Sequence, residues 1–286
     1  METVKPSALL TLTRPRFWLY TAGPFLVGSI AGVDSPMALT RPLSMALFLY
    51  FLVPANLFLY GINDWFDADT DTHNAKKHTK EHLLQMQERR SLVLILAFTA
   101  GLGAVLSVFL VGPARWLMWV FLLLSATYSA PPLRWKARPF LDSLSNVLYA
   151  VPGFVGYALF TGQLPPLPLI IAAWAWTIGM HAYSAIPDIT PDKEARIKTI
   201  AVTLGHTSTL RFVGFVWFLA AFFATWQLGL WVLPLWIYPV IPVLLLKKPA
   251  ATVERWYWSF PLLTSLLGFC AFWAILWLRF GTVWPL

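Results

Sequence analysis

Two short stretches of this chain concentrate oxygen ligands. The first reads Asn63-Asp64-Trp65-Phe66-Asp67-Ala68-Asp69-Thr70-Asp71, the second Asp188-Ile189-Thr190-Pro191-Asp192. Together they hold six of the 13 acidic residues. Asn63, Asp67 and Asp71 recur at i, i+4 and i+8, so on a helix they share one face. Asp64 lies one turn before Asp67, whereas Asp69 falls off the row. Asn56 and Tyr60 extend the row upstream, and His181, Ser184 and Asp188 form a similar row at i, i+3 and i+7. Carboxylates crowded in this way repel one another until a cation neutralises them. Hard oxygen donors suit Mg²⁺ or Ca²⁺ better than Zn²⁺. Mg²⁺ commonly takes one or two carboxylates and completes its octahedron with water and substrate phosphate. Asp67 to Asp71 also imitates the start of an EF-hand loop, but that loop needs Gly at its sixth and Glu at its twelfth position, where this chain has Thr72 and His78. The chemistry indicated is metal-assisted handling of a phosphate ester, with two acidic clusters on different helices holding Mg²⁺ against one diphosphate.

The elements that carry these residues are hydrophobic. Of 286 residues, 58% are hydrophobic and 12% charged, about half the charge of an ordinary soluble domain; the mean hydropathy is +0.65. Nine apolar runs approach the ~20 residues needed to span a bilayer. They lie near 16–33, 43–64, 91–111, 114–130, 140–161, 166–187, 209–226, 228–246 and 256–279. The first acidic stretch ends the second run and the second ends the sixth. A net charge of +8 could suggest a nucleic-acid partner, but the basic residues sit in the gaps between apolar runs, so none is expected. With the N-terminus inside, 18 of the 21 lysines and arginines fall on the inner side, and only Arg41, Arg115 and Arg279 fall outside. That asymmetry orients membrane proteins. It places the N-terminus and both acidic motifs on the cytoplasmic side of the cell membrane and the C-terminus on the other. Polar rows on apolar helices face a bundle interior. The expectation is an all-α, polytopic membrane protein, with nine transmembrane helices bundled around a central cavity and one domain over residues 1–286. Ser29-Ile30-Ala31 imitates a signal-peptide cleavage site, yet the later runs fit a topology that keeps this helix. Cys270 has no cysteine partner in the chain and reads as a packing residue.

The pattern Asn-Asp-x-x-Asp-x-x-x-Asp, with Asp-x-x-x-Asp followed by Ile197-Lys198-Thr199-Ile200 and Leu204-Gly205, resembles the UbiA superfamily of intramembrane prenyltransferases over almost the whole chain. The resemblance implies Mg²⁺-dependent transfer of a prenyl group from an allylic prenyl diphosphate to an apolar acceptor in the lipid bilayer. It makes Asn63, Asp64, Asp67, Asp71, Asp188 and Asp192 catalytic, with Asn63, Asp67 and Asp71 on one Mg²⁺ and Asp188 and Asp192 on a second. Where some members have a third aspartate in the second motif, this chain has Arg196, and Pro191 interrupts that motif, which suggests a turn there. The local sequences Pro54-Ala55-Asn56-Leu57-Phe58-Leu59-Tyr60-Gly61, His73-Asn74-Ala75-Lys76-Lys77, Ser129-Ala130-Pro131-Pro132-Leu133-Arg134 and His181-Ala182-Tyr183-Ser184-Ala185 are similar to the carotenoid branch, which includes lycopene elongases. Quinone, chlorophyll and haem branches share the metal motifs. Diphosphate-binding candidates are Arg14, Lys76, Tyr128, Arg134, Lys136, Tyr183 and Lys198; Asn56, Tyr60, His181 and Ser184 are expected to line the cavity.

Three other classes fit an apolar chain with acidic groups: an ion-coupled secondary transporter, a lipid phosphotransferase and a non-catalytic scaffold. Transporters commonly place their binding sites near the midplane, whereas these acids end their helices. Replacing Asp67 or Asp188 by Ala is expected to abolish prenyl transfer in a protein that still folds and inserts. Turnover at the unmutated rate by either variant would remove the metal–diphosphate assignment.

Overall fold

The computed structural model describes residues 6–67 and 84–281. Among these, every regular element is a helix and no strand occurs. In chain order they are α1 (Pro6–Leu12), α2 (Trp18–Gly32), α3 (Pro42–Leu52), α4 (Pro54–Asp67), α5 (Arg89–Val108), α6 (Gly112–Ser129), α7 (Leu141–Leu144), α8 (Val151–Thr161), α9 (Leu167–Ser184), α10 (Ile189–Glu194), α11 (Ile200–Leu204), α12 (His206–Leu228), α13 (Ile237–Leu245) and α14 (Ala250–Phe280), with short 3-10 turns between several of them. Five helical stretches are long and apolar enough to cross a membrane: Pro42–Asp67, Arg89–Val108, Leu141–Thr161, His206–Leu245 and Ala250–Phe280. The remaining predicted runs are helical too, as α2, α6 and α9. The stretch His206–Leu245 has 40 residues, about 60 Å if straight and so about twice the hydrocarbon thickness. It is not straight. Gly229, at φ +70°, ends α12, a 3-10 segment follows, and α13 packs back against α12.

Contacts group the chain into two units. The first comprises Met1–Leu133, Val151–Leu164 and Phe272–Leu286. In it α2 packs on α8, and glycine makes the approach possible. A Cβ at Gly28 would stand 1.9 Å from the Gly153 carbonyl oxygen, and one at Gly156 would stand 2.3 Å from that of Phe25. In lipid no water is released when apolar helices meet, so close backbone packing by small residues takes on the driving role. Arg279 donates to the carbonyls of Ile30 (3.2 Å) and Ala31, placing a cation at the C-terminus of α2, where the helix dipole is negative. Phe272, Ile275 and Leu276 pack against Ile30 and Val33 beside it.

The helix bearing the first acidic motif is broken before it begins. Pro54 has no N–H to continue the ladder from α3, and Val53 turns to φ −125°, ψ −61°. The carbonyls released there still require donors. The side-chain amide of Asn56 lies 3.0 Å from the Phe51 carbonyl, 3.1 Å from that of Leu52 and 2.7 Å from the Thr21 hydroxyl. Thr21 in turn donates to Phe51. Asn56 is fully buried, and its amide nitrogen serves the kink. The break sets the direction in which α4 leaves and hence where Asn63, Asp64 and Asp67 lie.

The second unit comprises Arg134–Ala150 and Pro165–Ala271. Here α9 packs on α12 around a cluster of Tyr183, Trp217, Tyr238 and Phe260. The Trp217 and Phe260 rings stack at 5.4 Å. Gly179 leaves the room Trp217 occupies, since a Cβ there would stand 2.4 Å from the indole nitrogen, which donates instead to the Trp176 carbonyl. Outside the cores, large apolar side chains point outward, among them Leu262 (76% exposed), Phe98 (71%) and Trp116 (70%). Exposure on this scale suits a lipid-facing surface. Cys270 belongs to that surface: it is exposed rather than packed, because α14 turns much of its circumference outward.

Gly28→Val is expected to destabilise the protein by about 1–3 kcal/mol through overpacking, read as a lower unfolding temperature in detergent. Gly101→Ala, where nothing lies within 4 Å of the added carbon, is the control and should unfold at the unmutated temperature or above it. Equal behaviour of the two variants would contradict the glycine contact.

Candidate active site

The first acidic motif lies at the end of α4, which stops at Asp67. Asn63 and Asp67 are one turn apart and half-buried, whereas Asp64 is buried, 2% exposed. Asp64 is not left as a bare charge. Its Oδ1 accepts from the Arg14 guanidinium at 3.0 Å. Arg14 stands over the Tyr60 ring at 4.6 Å, and Phe17 flanks the same ring at 5.8 Å. Arg14 holds a left-handed conformation (φ +49°) just ahead of the 3-10 turn Pro15–Phe17. Such a conformation is unfavourable for a residue with a Cβ, and the ion pair with the buried carboxylate offsets it. Thus Asp64 and Arg14, expected separately on catalysis and diphosphate, are coupled to each other.

Asn63 is oriented by the neighbouring helix. The Ser129 hydroxyl, at the last residue of α6, donates to Asn63 Oδ1 at 3.0 Å. Ser129 is 1% exposed. It stood in the sequence only as the first residue of the stretch Ser129-Ala130-Pro131-Pro132-Leu133-Arg134, and nothing in one sequence pairs it with a residue 66 positions away. Tyr128, half-buried, precedes it. Asp71 and Lys76 lie outside the described residues. Among the described residues no group of three His, Cys, Asp or Glu side chains gathers into a metal-binding set. The donors of α4 nonetheless fit a hard cation: an amide oxygen at Asn63 and a carboxylate at Asp67 share one face, and the Asp64 carboxylate is turned to Arg14.

The second unit holds the other motif. Asp188 stands at the N-cap of α10, and its carbonyl accepts the Asp192 N–H at 2.8 Å. The segment is a short helix rather than the turn that Pro191 suggests, because proline is tolerated in the first turn of a helix. Asp192 Oδ2 accepts from the Thr199 hydroxyl at 3.2 Å, and Thr199 caps α11 by accepting from Val202 N–H. Arg134 (φ +37°) and Lys136, both half-buried, lie in and beside the 3-10 turn Trp135–Ala137, while Lys198 is exposed between α10 and α11.

Two of the expected residues sit in packed surroundings. Tyr183, expected on the diphosphate, is fully buried in the aromatic cluster, with its hydroxyl directed to the Val253 carbonyl at 3.4 Å. Its place on the apolar face of α9 makes it a core residue. Asn56, expected to line the cavity with Tyr60, belongs to the α3–α4 kink. Ser184 donates to the His181 carbonyl at 2.8 Å, the usual local bond of a helical serine.

His181 faces a residue that sequence reasoning passed over. Asp142 is fully buried. Its Oδ2 accepts from the Ile200 N–H at 2.7 Å and lies 3.6 Å from His181 Nε2, and its Oδ1 accepts from the Ser143 N–H at 2.8 Å. One signal existed: Asp142 is an acid inside the predicted run 140–161, and a carboxylate in a membrane span marks function by default.

A family model described as the UbiA prenyltransferase family matches residues 21–257. The chain belongs to that family. This UbiA-type prenyltransferase is 42% identical over 265 residues to a lycopene elongase/hydratase of Haloarcula japonica, covering 91% of this chain and 88% of the relative. It is 43% identical over 272 residues to a lycopene elongase/hydratase of Haloferax volcanii, covering 94% and 88%. In three dimensions it matches a UbiA homolog from Archaeoglobus fulgidus bound to GPP and Mg²⁺ with a TM-score of 0.73 at 20% identity, covering 93% of this chain and 99% of the other. The fold is therefore the UbiA fold.

Removing one partner of a buried ion pair costs about 3–5 kcal/mol because the other charge remains. Arg14→Met or Asp64→Leu alone should lower the unfolding temperature in detergent markedly, and the double variant should recover most of that loss. Additive losses would show that the two side chains do not act as a pair.

Proposed function

We propose that this UbiA-family enzyme extends a linear carotenoid, lycopene, by transferring five-carbon prenyl groups from an allylic prenyl diphosphate within the membrane. The observation that carries this reading is the 42–43% identity, over more than nine-tenths of the chain, to relatives named lycopene elongase/hydratase. The chain works as a single prenyltransferase domain of nine transmembrane helices, with the N-terminus and both aspartate motifs on the cytoplasmic side and the C-terminus opposite.

Asn63, Asp67 and Asp71 would hold one Mg²⁺, and Asp188 and Asp192 a second. When bound, the ions supply positive charge against the diphosphate as it leaves. Ser129 fixes the Asn63 oxygen toward this task, and Thr199 does the same for Asp192. Arg14, held by Asp64 and Tyr60, contributes a fixed cation beside the first motif; Lys76, Tyr128, Arg134, Lys136 and Lys198 bind further phosphate oxygens. Such groups act by preorganisation, being in place before charge develops. The allylic C–O bond breaks with its electron pair going to the diphosphate. The terminal double bond of the acceptor attacks the allylic carbon, and a proton then leaves the new chain end. Apolar walls keep water from the cation until then, and the face of an aromatic ring such as Tyr60 favours positive charge.

Incubation of the purified protein with Mg²⁺, dimethylallyl diphosphate and lycopene should give products heavier by one and two five-carbon units. An additional water mass would extend the activity to hydration of the new end. Lycopene returned unchanged while an aromatic acceptor is prenylated would overturn the choice of acceptor.

A further inference from the structure

Asp142 is a fully buried carboxylate outside both acidic motifs. It lies in the first turn of a short helical segment, α7, where its Oδ1 accepts from the Ser143 N–H. Its backbone carbonyl receives the side chains of Ser145 and Asn146, so the residue is held from its own segment. Its other oxygen reaches outward. Oδ2 takes the Ile200 N–H at 2.7 Å and confronts His181 Nε2 at 3.6 Å. These partners bracket the second motif. His181 lies seven residues before Asp188, and Ile200 follows Thr199, whose hydroxyl donates to Asp192.

We propose that Asp142 is the positioning residue of the second aspartate motif: one buried carboxylate anchors the start of α11, faces His181 near the end of α9, and so fixes the segment carrying Asp188 and Asp192. The chain of contacts is short. Asp142 anchors the first N–H of α11. That anchor sets the N-cap, Thr199, whose hydroxyl then orients the Asp192 carboxylate. Asp142 touches neither motif aspartate and acts through this frame. Carboxylates behind a ligand group are common supports of metal sites, and their loss typically lowers metal affinity or activity about 10- to 100-fold. The inference rests on the proposed metal role of Asp188 and Asp192.

The test is a Mg²⁺ titration of prenyl transfer by the full-length protein, run beside thermal unfolding in detergent. Asp142→Asn retains size and an acceptor oxygen but loses the charge. Thr199→Val cuts the same chain one step nearer the motif. Both should raise the Mg²⁺ concentration at half-maximal rate about tenfold and raise KM for the diphosphate donor. The rate at saturating Mg²⁺ should fall less, and a purely structural role would leave the Mg²⁺ midpoint of the folded fraction unmoved. A folded Asp142→Asn enzyme with an unshifted midpoint overturns the proposal. Should that variant not fold, an unshifted midpoint in Thr199→Val overturns it equally. Unmutated enzyme whose transfer persists in excess chelator would instead overturn the metal reading on which the proposal rests.

Discussion

A carboxylate taken out of water must meet a cation or several hydrogen-bond donors, because burying an isolated charge costs far more than any local contact returns. This constraint organises the polar parts of an otherwise greasy protein. Asp64 meets it with the Arg14 guanidinium at 3.0 Å. Asp142 meets it with two backbone N–H groups and the nearby edge of His181. Each solution draws on a distant part of the chain: Arg14 comes from the N-terminal segment, and Ile200 from the far side of the second motif. The motif acids Asp67, Asp188 and Asp192 are half-exposed at helix ends.

The same requirement governs the backbone. Pro54 interrupts the path from α3 into α4, and Asn56 and Thr21 supply the donors that the broken ladder lacks. Arg279 does so for the last carbonyls of α2. Irregular backbone in an apolar environment is tolerated where protein groups re-satisfy it. In this enzyme the irregularity sets direction: the kink aims α4, and the short helices α10 and α11, pinned through Thr199 and Asp142, hold the second aspartate motif.

Packing follows a different rule in each unit. In the first, glycines on α2 and α8 bring two backbones together until no Cβ fits between Gly28 and Gly153. In the second, aromatic rings fill the space between α9, α12 and α14, and Gly179 yields its volume to Trp217. Both arrangements gain dispersion contacts, which lipid does not supply as well as an interlocked surface. They leave the outward faces to leucine, phenylalanine and tryptophan.

The order of apolar runs, the placement of lysine and arginine, and the i, i+4 spacing of Asn63 and Asp67 are properties of the sequence alone. They sufficed for an all-helical membrane class, because hydropathy and helical periodicity are local, while the family followed from the resemblance of the two aspartate motifs. Which partners these acids meet was decided by tertiary contacts. Asp64 matches the motif as well as Asp67 does, yet a residue 50 positions away claims it. Tyr183 lies between His181 and Ser184 in sequence but turns into an aromatic core. Asp142 and Ser129 carry no local signature of their partners, Ile200 and Asn63, 58 and 66 positions distant. Pairings across such separations depend on how helices approach, and a single sequence encodes that approach only through side-chain shape in three dimensions.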